Sequence, residues 1–148
     1  MNMNKTPVQI TLWFNRGIFL LFGILILTMP TLTYWYQQCL IFSNNIAWTI
    51  LAAFYCCAPM VALALWKLDK LLLNILRGDV FVSGNVAAIR ALRWCCLGVC
   101  LVCLPASVIY LPLIFMVVIM GFLSLVVNVV CQVMKAAVAI REENDLTV

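Results

Sequence analysis

From Trp94 to Met134 the chain contains no charged residue and no histidine. As one helix at 1.5 Å per residue, that stretch would be about 60 Å long, twice the ~30 Å hydrocarbon thickness of a bilayer. It must therefore fold back on itself. The break is expected where Pro105, Ser107, Tyr110 and Pro112 cluster, because proline removes a backbone donor and disfavours helix in the residue before it. Two antiparallel helices follow, over about 90–109 and 112–134, joined by a tight turn.

Composition says what solvent such a hairpin needs. Hydrophobic residues make up 67% of the 148 and charged residues 9%, against about 25% charged in an ordinary soluble domain. A soluble domain of this size cannot hide that much apolar surface, and a bilayer removes the need. Lys5 and Arg16 precede another apolar run, from Gly17 to about Tyr36. That run is longer than a signal-peptide core and no small-x-small cleavage site follows it. The residues before Cys39, in YQQCL, are not the small ones expected before a lipoprotein cysteine. The run is thus expected to be an uncleaved first span, about 14–36, with a second at about 46–66. The expected fold is all-α: a polytopic membrane protein with four transmembrane helices in an antiparallel bundle. It forms a single domain, 1–148, with a helical connection at 67–89 and a tail at 135–148.

Orientation follows from the cations. Lys5 and Arg16 precede span one. Lys67, Lys70, Arg77, Arg90 and Arg93 lie between spans two and three, and Lys135 and Arg141 follow span four. The other two loops contain no basic residue. All nine therefore fall on one side, which the positive-inside rule makes cytoplasmic, with both termini inside. Tyr34, Trp35 and Tyr36 at one boundary, and Trp66 and Trp94 at the other, suit the two interfacial aromatic belts.

The connection is too polar to span and too apolar to be a free linker. Leu68, Leu71, Leu72, Ile75 and Leu76 recur at helical spacing, which extends span two as an amphipathic helix ending at Gly78. Ser83 or Asn85 can cap the next helix, with Val86, Ile89 and Leu92 on one face and Arg90 and Arg93 on another. Phe81, in the turn, is expected to pack back onto the bundle or the interface. Its basic residues set topology and attract the lipid bilayer at about 1 kcal/mol each; the sharper alternative is a docking surface for an acidic partner or for the chain's own tail. The patch is small and lies against a membrane, so no direct nucleic-acid contact is expected.

Span four carries Gly121, Ser124, Asn128, Gln132 and Lys135 at intervals of three or four, which puts them on one face. Small and amide residues there favour close helix approach and interhelical hydrogen bonds of about 0.6–2 kcal/mol each. A small-molecule pocket behind Asn128 is the competing reading. No ionisable residue lies in the middle of a span, as most ion-coupled pathways require. No nucleophile–base pair, carboxylate pair, phosphate loop or ligand set is present either. Neither enzymatic activity nor a pump is expected, and no cofactor or metal. Seven of the eight cysteines sit in apolar runs, where cysteine acts as a small hydrophobe. Cys96, Cys100 and Cys103 share a helix face and are expected to pack. Cys39 has no exposed partner, so a disulfide there would join two molecules. Asp69 and Asp79, flanked by cations, are expected to form ion pairs.

Three of the five acidic residues fall at the end: Glu142, Glu143 and Asp145. Span four is expected to continue through Lys135, Val138 and Ile140, which sets these acids against the negative end of the helix dipole. Asn144 would cap in the left-handed conformation, and 146–148 would extend. The acids either pair with Arg77, Arg90 or Arg93, or present the tail to another protein's sheet edge or pocket.

Two segments carry a family resemblance. ILRGDVFVSGNVAAIRALRW is similar to a G-x-x-F-x-x-x-N-x-x-x-[IL]-R motif between the middle spans of a bacterial four-span membrane family, catalogued as domain of unknown function 2975. Gly78, Phe81, Asn85, Ile89 and Arg90 are the matching positions. The ending Glu142–Val148 resembles the family's acidic close, with Val148 in place of isoleucine. With the four-span layout, the resemblance covers nearly the whole chain. It implies a multi-pass protein of the bacterial inner membrane without established activity. It also implies, by gene association alone, a small helix-turn-helix regulator as cytoplasmic partner. The expected function is a non-enzymatic regulatory or sensory protein that docks its partner through Arg77, Phe81, Asn85, Arg90, Arg93 and Glu142, Glu143, Asn144 and Asp145. The alternative is a small transport, export-accessory or immunity protein working through Ser124, Asn128 and Gln132, and homo-oligomers are admitted.

Overall fold

A computed structural model describes residues 5–39, 44–78 and 83–145. They form four α-helices: α1 Lys5–Cys39, α2 Asn44–Arg77, α3 Ser83–Ile109 and α4 Leu113–Asp145. Each is long and apolar enough to cross a bilayer, and no strand occurs among the described residues. The chain is a multi-pass membrane protein.

Local chemistry explains the boundaries. Gly78 closes α2 at φ +92°, its N–H donating to the Ile75 carbonyl at 3.1 Å. A left-handed backbone of this kind favours glycine because a Cβ would crowd the carbonyl. The α3–α4 break falls between Ile109 and Leu113. Pro105 stays inside α3, and the chain turns only at Tyr110–Pro112, where Leu113 N–H donates to the Tyr110 carbonyl at 3.0 Å. Pro112 sits just ahead of α4, where a missing N–H costs nothing and its fixed φ suits the first turn.

The helices alternate in direction and pack in chain order: α1 on α2, α2 on α3, α3 on α4. Contacts along each seam show the antiparallel register. Asn15 bonds Leu65 while Tyr55 bonds Ile26; Asn74 meets Asn85 while Cys57 meets Cys103 at 3.9 Å; Arg93 meets Asn128 while Cys100 meets Val117. Among the described residues α1 touches only α2, and α4 only α3. The antiparallel bundle is therefore open, a row one helix thick, and its large exposed apolar side chains are what lipid would cover. Tyr34, Trp35 and Trp48 are exposed at the uncharged end, and Trp13, Trp66 and Trp94 at the basic end.

The best-packed part lies at the basic end. Val86 and Ile89 of α3 meet Cys131 and Val138 of α4, with Leu71, Val127 and Met134 around them. Further along, Gly98 lets α3 approach α2 closely: a Cβ there would lie 2.6 Å from Met60 Sδ.

Candidate functional site at the basic end

Asn85 is the organising side chain of this junction. It lies in the first turns of α3, fully buried, and its Oδ1 accepts from Asn74 Nδ2 at 2.8 Å. The capping role expected of Asn85 is thus replaced by an interhelical bond, since that oxygen faces α2. Asn74 was not singled out in the sequence, although an amide inside the leucine stripe Leu71–Leu72–Ile75 was the available signal.

About two turns further into α3, Arg93 Nη1 donates to Asn128 Oδ1 on α4 at 2.6 Å. The guanidinium also lies 5.3 Å from the Trp94 ring. Its Nε is buried with no hydrogen-bond partner. One of the two expected sets, the basic connection and the polar face of span four, therefore reaches the other through this pair. Ser124 is buried in the α3–α4 seam, whereas Gln132 is exposed. The buried face of α4 runs through Ser124, Cys131 and Val138 rather than along the full predicted stripe, because α3 covers only an arc of the helix.

At the same level α1 joins α2. Asn15, also buried, donates from Nδ2 to the Leu65 carbonyl at 3.3 Å, and Arg16 Nε pairs with Asp69 Oδ1 at 3.2 Å. The ion pair expected of Asp69 is present; Asp79 lies outside the described residues. Lys67 and Lys70 stand over the Trp66 ring at 5.8 and 4.4 Å.

The expected docking residues separate into three groups. Arg77, Arg90 and Glu143 are exposed, Asn85 and Arg93 are engaged inside the bundle, and Phe81 lies outside the described residues. Asn144 falls within α4, which runs to Asp145, so the left-handed cap expected there does not form. The side chains of Glu142, Asn144 and Asp145, and residues 146–148, lie outside the description, as does the side chain of Cys39. Among the described residues no three His, Cys, Asp or Glu side chains come close enough to hold a metal ion.

A family model described as a protein of unknown function (DUF2975) matches residues 42–148. The chain belongs to the DUF2975 family. The match begins just before α2 and takes in the whole Asn74–Asn85 and Arg93–Asn128 junction, leaving α1 outside. The resemblance is thus carried by α2–α4 rather than by nearly the whole chain. In this DUF2975 protein the motif residues Asn85 and Ile89 are buried, Gly78 is the helix stop, and Arg90 faces outward. No curated protein and no solved structure matches the chain significantly.

Proposed function

We propose that this DUF2975 protein is a non-enzymatic regulatory or sensory protein of the bacterial inner membrane, whose basic end faces the cytoplasm and holds a soluble partner. The observation that carries the reading is the overshoot of α2 and α4 at the basic end, beside a similarly long α1 of 35 residues. α2 and α4 contain 34 and 33 residues, about 50 Å each, against a hydrocarbon layer of ~30 Å. The surplus lies at the basic end, where α4 runs past its apolar stretch to Asp145 and α2 continues to Arg77. It presents Arg77, Arg90, Arg141 and Glu143 to solvent on a stub braced by the Asn74–Asn85 and Arg93–Asn128 bonds. A rigid, mixed-charge surface of this sort suits a partner with its own charged face, and a helix-turn-helix regulator is the candidate that the family resemblance supplies. The transport alternative draws less support, because Asn128 is engaged by Arg93 and Ser124 is packed against α3.

A photo-crosslinking residue at Arg90, compared with the same residue at exposed Val108 near the uncharged end, tests the reading. Cross-linking to one cytoplasmic protein at Arg90 only, lost when residues 141–148 are deleted or Arg77 and Arg90 become glutamate, is expected. Equal labelling at both ends, or unchanged transcription and unchanged cross-links in those variants, would sink it.

A further inference from the structure

We infer that the DUF2975 protein carries a binding site for the phosphate headgroup of an anionic phospholipid, formed by Arg93, Lys67, Lys70 and Gln132 at the basic end of the row. The starting point is an arginine whose charge no acid among the described residues answers. A guanidinium carries five N–H donors. Here one reaches a neutral amide oxygen on Asn128, Nε is buried without a partner, and the described residues offer Nη2 none. No acidic residue occurs within ten positions of Arg93 or Asn128 in the sequence, and the one within ten of Lys67, Asp69, already holds Arg16. Arg16, Lys67, Lys70 and Arg93 thus have one carboxylate near them among the described residues, and Arg16 holds it. An isolated cation near the hydrocarbon is costly, by about 2.5–3.5 kcal/mol at mid-bilayer on insertion scales.

Geometry gathers the unanswered cations. The α2 stripe that meets α3 runs Cys57, Met60, Lys67, Leu71, Asn74, so Lys67 lies in the seam, at the height of Leu92 and Arg93 in the antiparallel register. Lys70 and Trp66 are exposed beside it on α2, and Trp94 on α3. Both helices therefore hold an exposed indole beside the α2–α3 seam at this height. On α4, Gln132 lies one turn beyond Asn128, the residue that Arg93 bonds. Gln132 is an exposed amide among exposed Val129, Val130 and Val133, with no partner among the described residues. Depth identifies the occupant. Gln132 lies 19 residues from Leu113, about 29 Å along α4, and Arg93 about 24 Å from the far end of α3, its long side chain covering most of the difference. That is headgroup level, marked by the exposed indoles of Trp66 and Trp94. The α2–α3 and α3–α4 seams on either side of Trp94 are open to the bilayer, since no other helix of the described residues packs on them. A phosphate diester there would accept from the guanidinium and both ammonium groups, while its acyl chains lie along the apolar faces of α3 and α4.

The inference stands apart from the docking reading and is tested on the purified full chain alone. Tryptophan quenching by brominated lipid in nanodiscs reads local lipid composition, and native mass spectrometry reads retained lipid. Wild type is expected to retain phosphatidylglycerol over phosphatidylcholine and to be stabilised thermally by it. Removing one charge, in Lys70→Gln, should weaken that preference about fivefold, and Arg93→Gln by more. Gln132→Leu, an exposed change that spares the fold, should weaken it as well, which keeps the test decisive if Arg93→Gln misfolds. Equal retention of the two lipids, or phosphatidylglycerol binding unchanged in both Lys70→Gln and Gln132→Leu, overturns the site. Stabilisation by inorganic phosphate in detergent equal to that by phosphatidylglycerol would overturn the lipid assignment in favour of a free anion.

Discussion

The two ends of the bundle solve the same problem with different means. At the basic end, amides and a guanidinium cross the seams: Asn74 to Asn85, Asn15 to Leu65, Arg93 to Asn128. At the uncharged end the seam is mostly apolar. Like the basic end, where a cavity of about 340 Å³ lies beside Asn15, Arg16, Trp66 and Asp69, it is not fully filled. Its own cavity, of about 340 Å³, opens between α1, α2 and the α3–α4 turn, lined by Met29, Leu32, Thr33, Ile46, Ile50 and Tyr110 among others. One polar contact between α1 and α2, on the way to that cavity, repairs a backbone defect. Pro30 has no N–H, so the Ile26 carbonyl loses its helical partner, and Tyr55 Oη donates to it at 3.0 Å. In a bilayer apolar packing gains little over lipid, so directional bonds decide which surfaces stay together. The comparison teaches that directional bonds specify the basic end, whereas apolar contact dominates the uncharged one.

The strongest way to break that comparison is at Asn85. Asn85→Ala should destabilise the protein by about 2 kcal/mol, because it opens a cavity and leaves the Asn74 amide without its acceptor in an apolar seam. Asn74→Leu combined with Asn85→Leu should cost less than the sum of the single changes, measured by unfolding in mixed detergent–SDS micelles. If Asn85→Ala unfolds like wild type, the basic end is not what holds the row.

The next effect, about 1.5 kcal/mol, is expected for Asn128→Leu, which removes the one acceptor that Arg93 has among the described residues. Gln132→Leu, one turn along the same helix, should stay within about 0.5 kcal/mol of wild type because its side chain is exposed. Equal losses in the two would mean that the polar stripe acts as a single face, as its spacing alone implies.

That contrast also marks what was legible in the sequence. The four helices, their alternation and the stop at Gly78 follow from hydropathy, from length and from one glycine, all local properties. The Arg16–Asp69 pair was half legible: Asp69 needed a cation, but several were available. Asn74–Asn85 was not legible, because two asparagines eleven residues apart meet only once the turn between them has closed. Nor does helical spacing tell which arc of α4 meets α3, so Ser124 and Gln132 looked equivalent until the neighbour was in place. For the same reason the openness of the row escaped notice: composition requires lipid around four spans but does not say how many neighbours each span has.

At the uncharged end the expected effect is smaller and its origin can be isolated. Tyr55→Phe should cost about 1 kcal/mol by leaving the Ile26 carbonyl unpaired. In a Pro30→Ala background the carbonyl regains a helical N–H, and Tyr55→Phe should then cost close to nothing. A full double-mutant cycle read by micelle unfolding checks this. An equal loss for Tyr55→Phe in both backgrounds would show that the hydroxyl stabilises the protein through something other than the Ile26 carbonyl left open by Pro30.

The smallest effect tests whether charge itself holds the basic end. Arg16 and Asp69 have side chains 53% and 24% exposed, so water and salt screen their attraction, and pairs of this kind contribute about 0–1 kcal/mol. Arg16→Gln should therefore cost no more than about 0.5 kcal/mol, a difference that shrinks further as salt is raised. A Asn15→Ala variant one residue away should cost more and be indifferent to salt, because its buried amide bonds a neutral carbonyl. A larger, salt-sensitive loss for Arg16→Gln would place the anchoring of α1 in its ion pair, and would make the helix that lies outside the family match the one most exposed to ionic conditions.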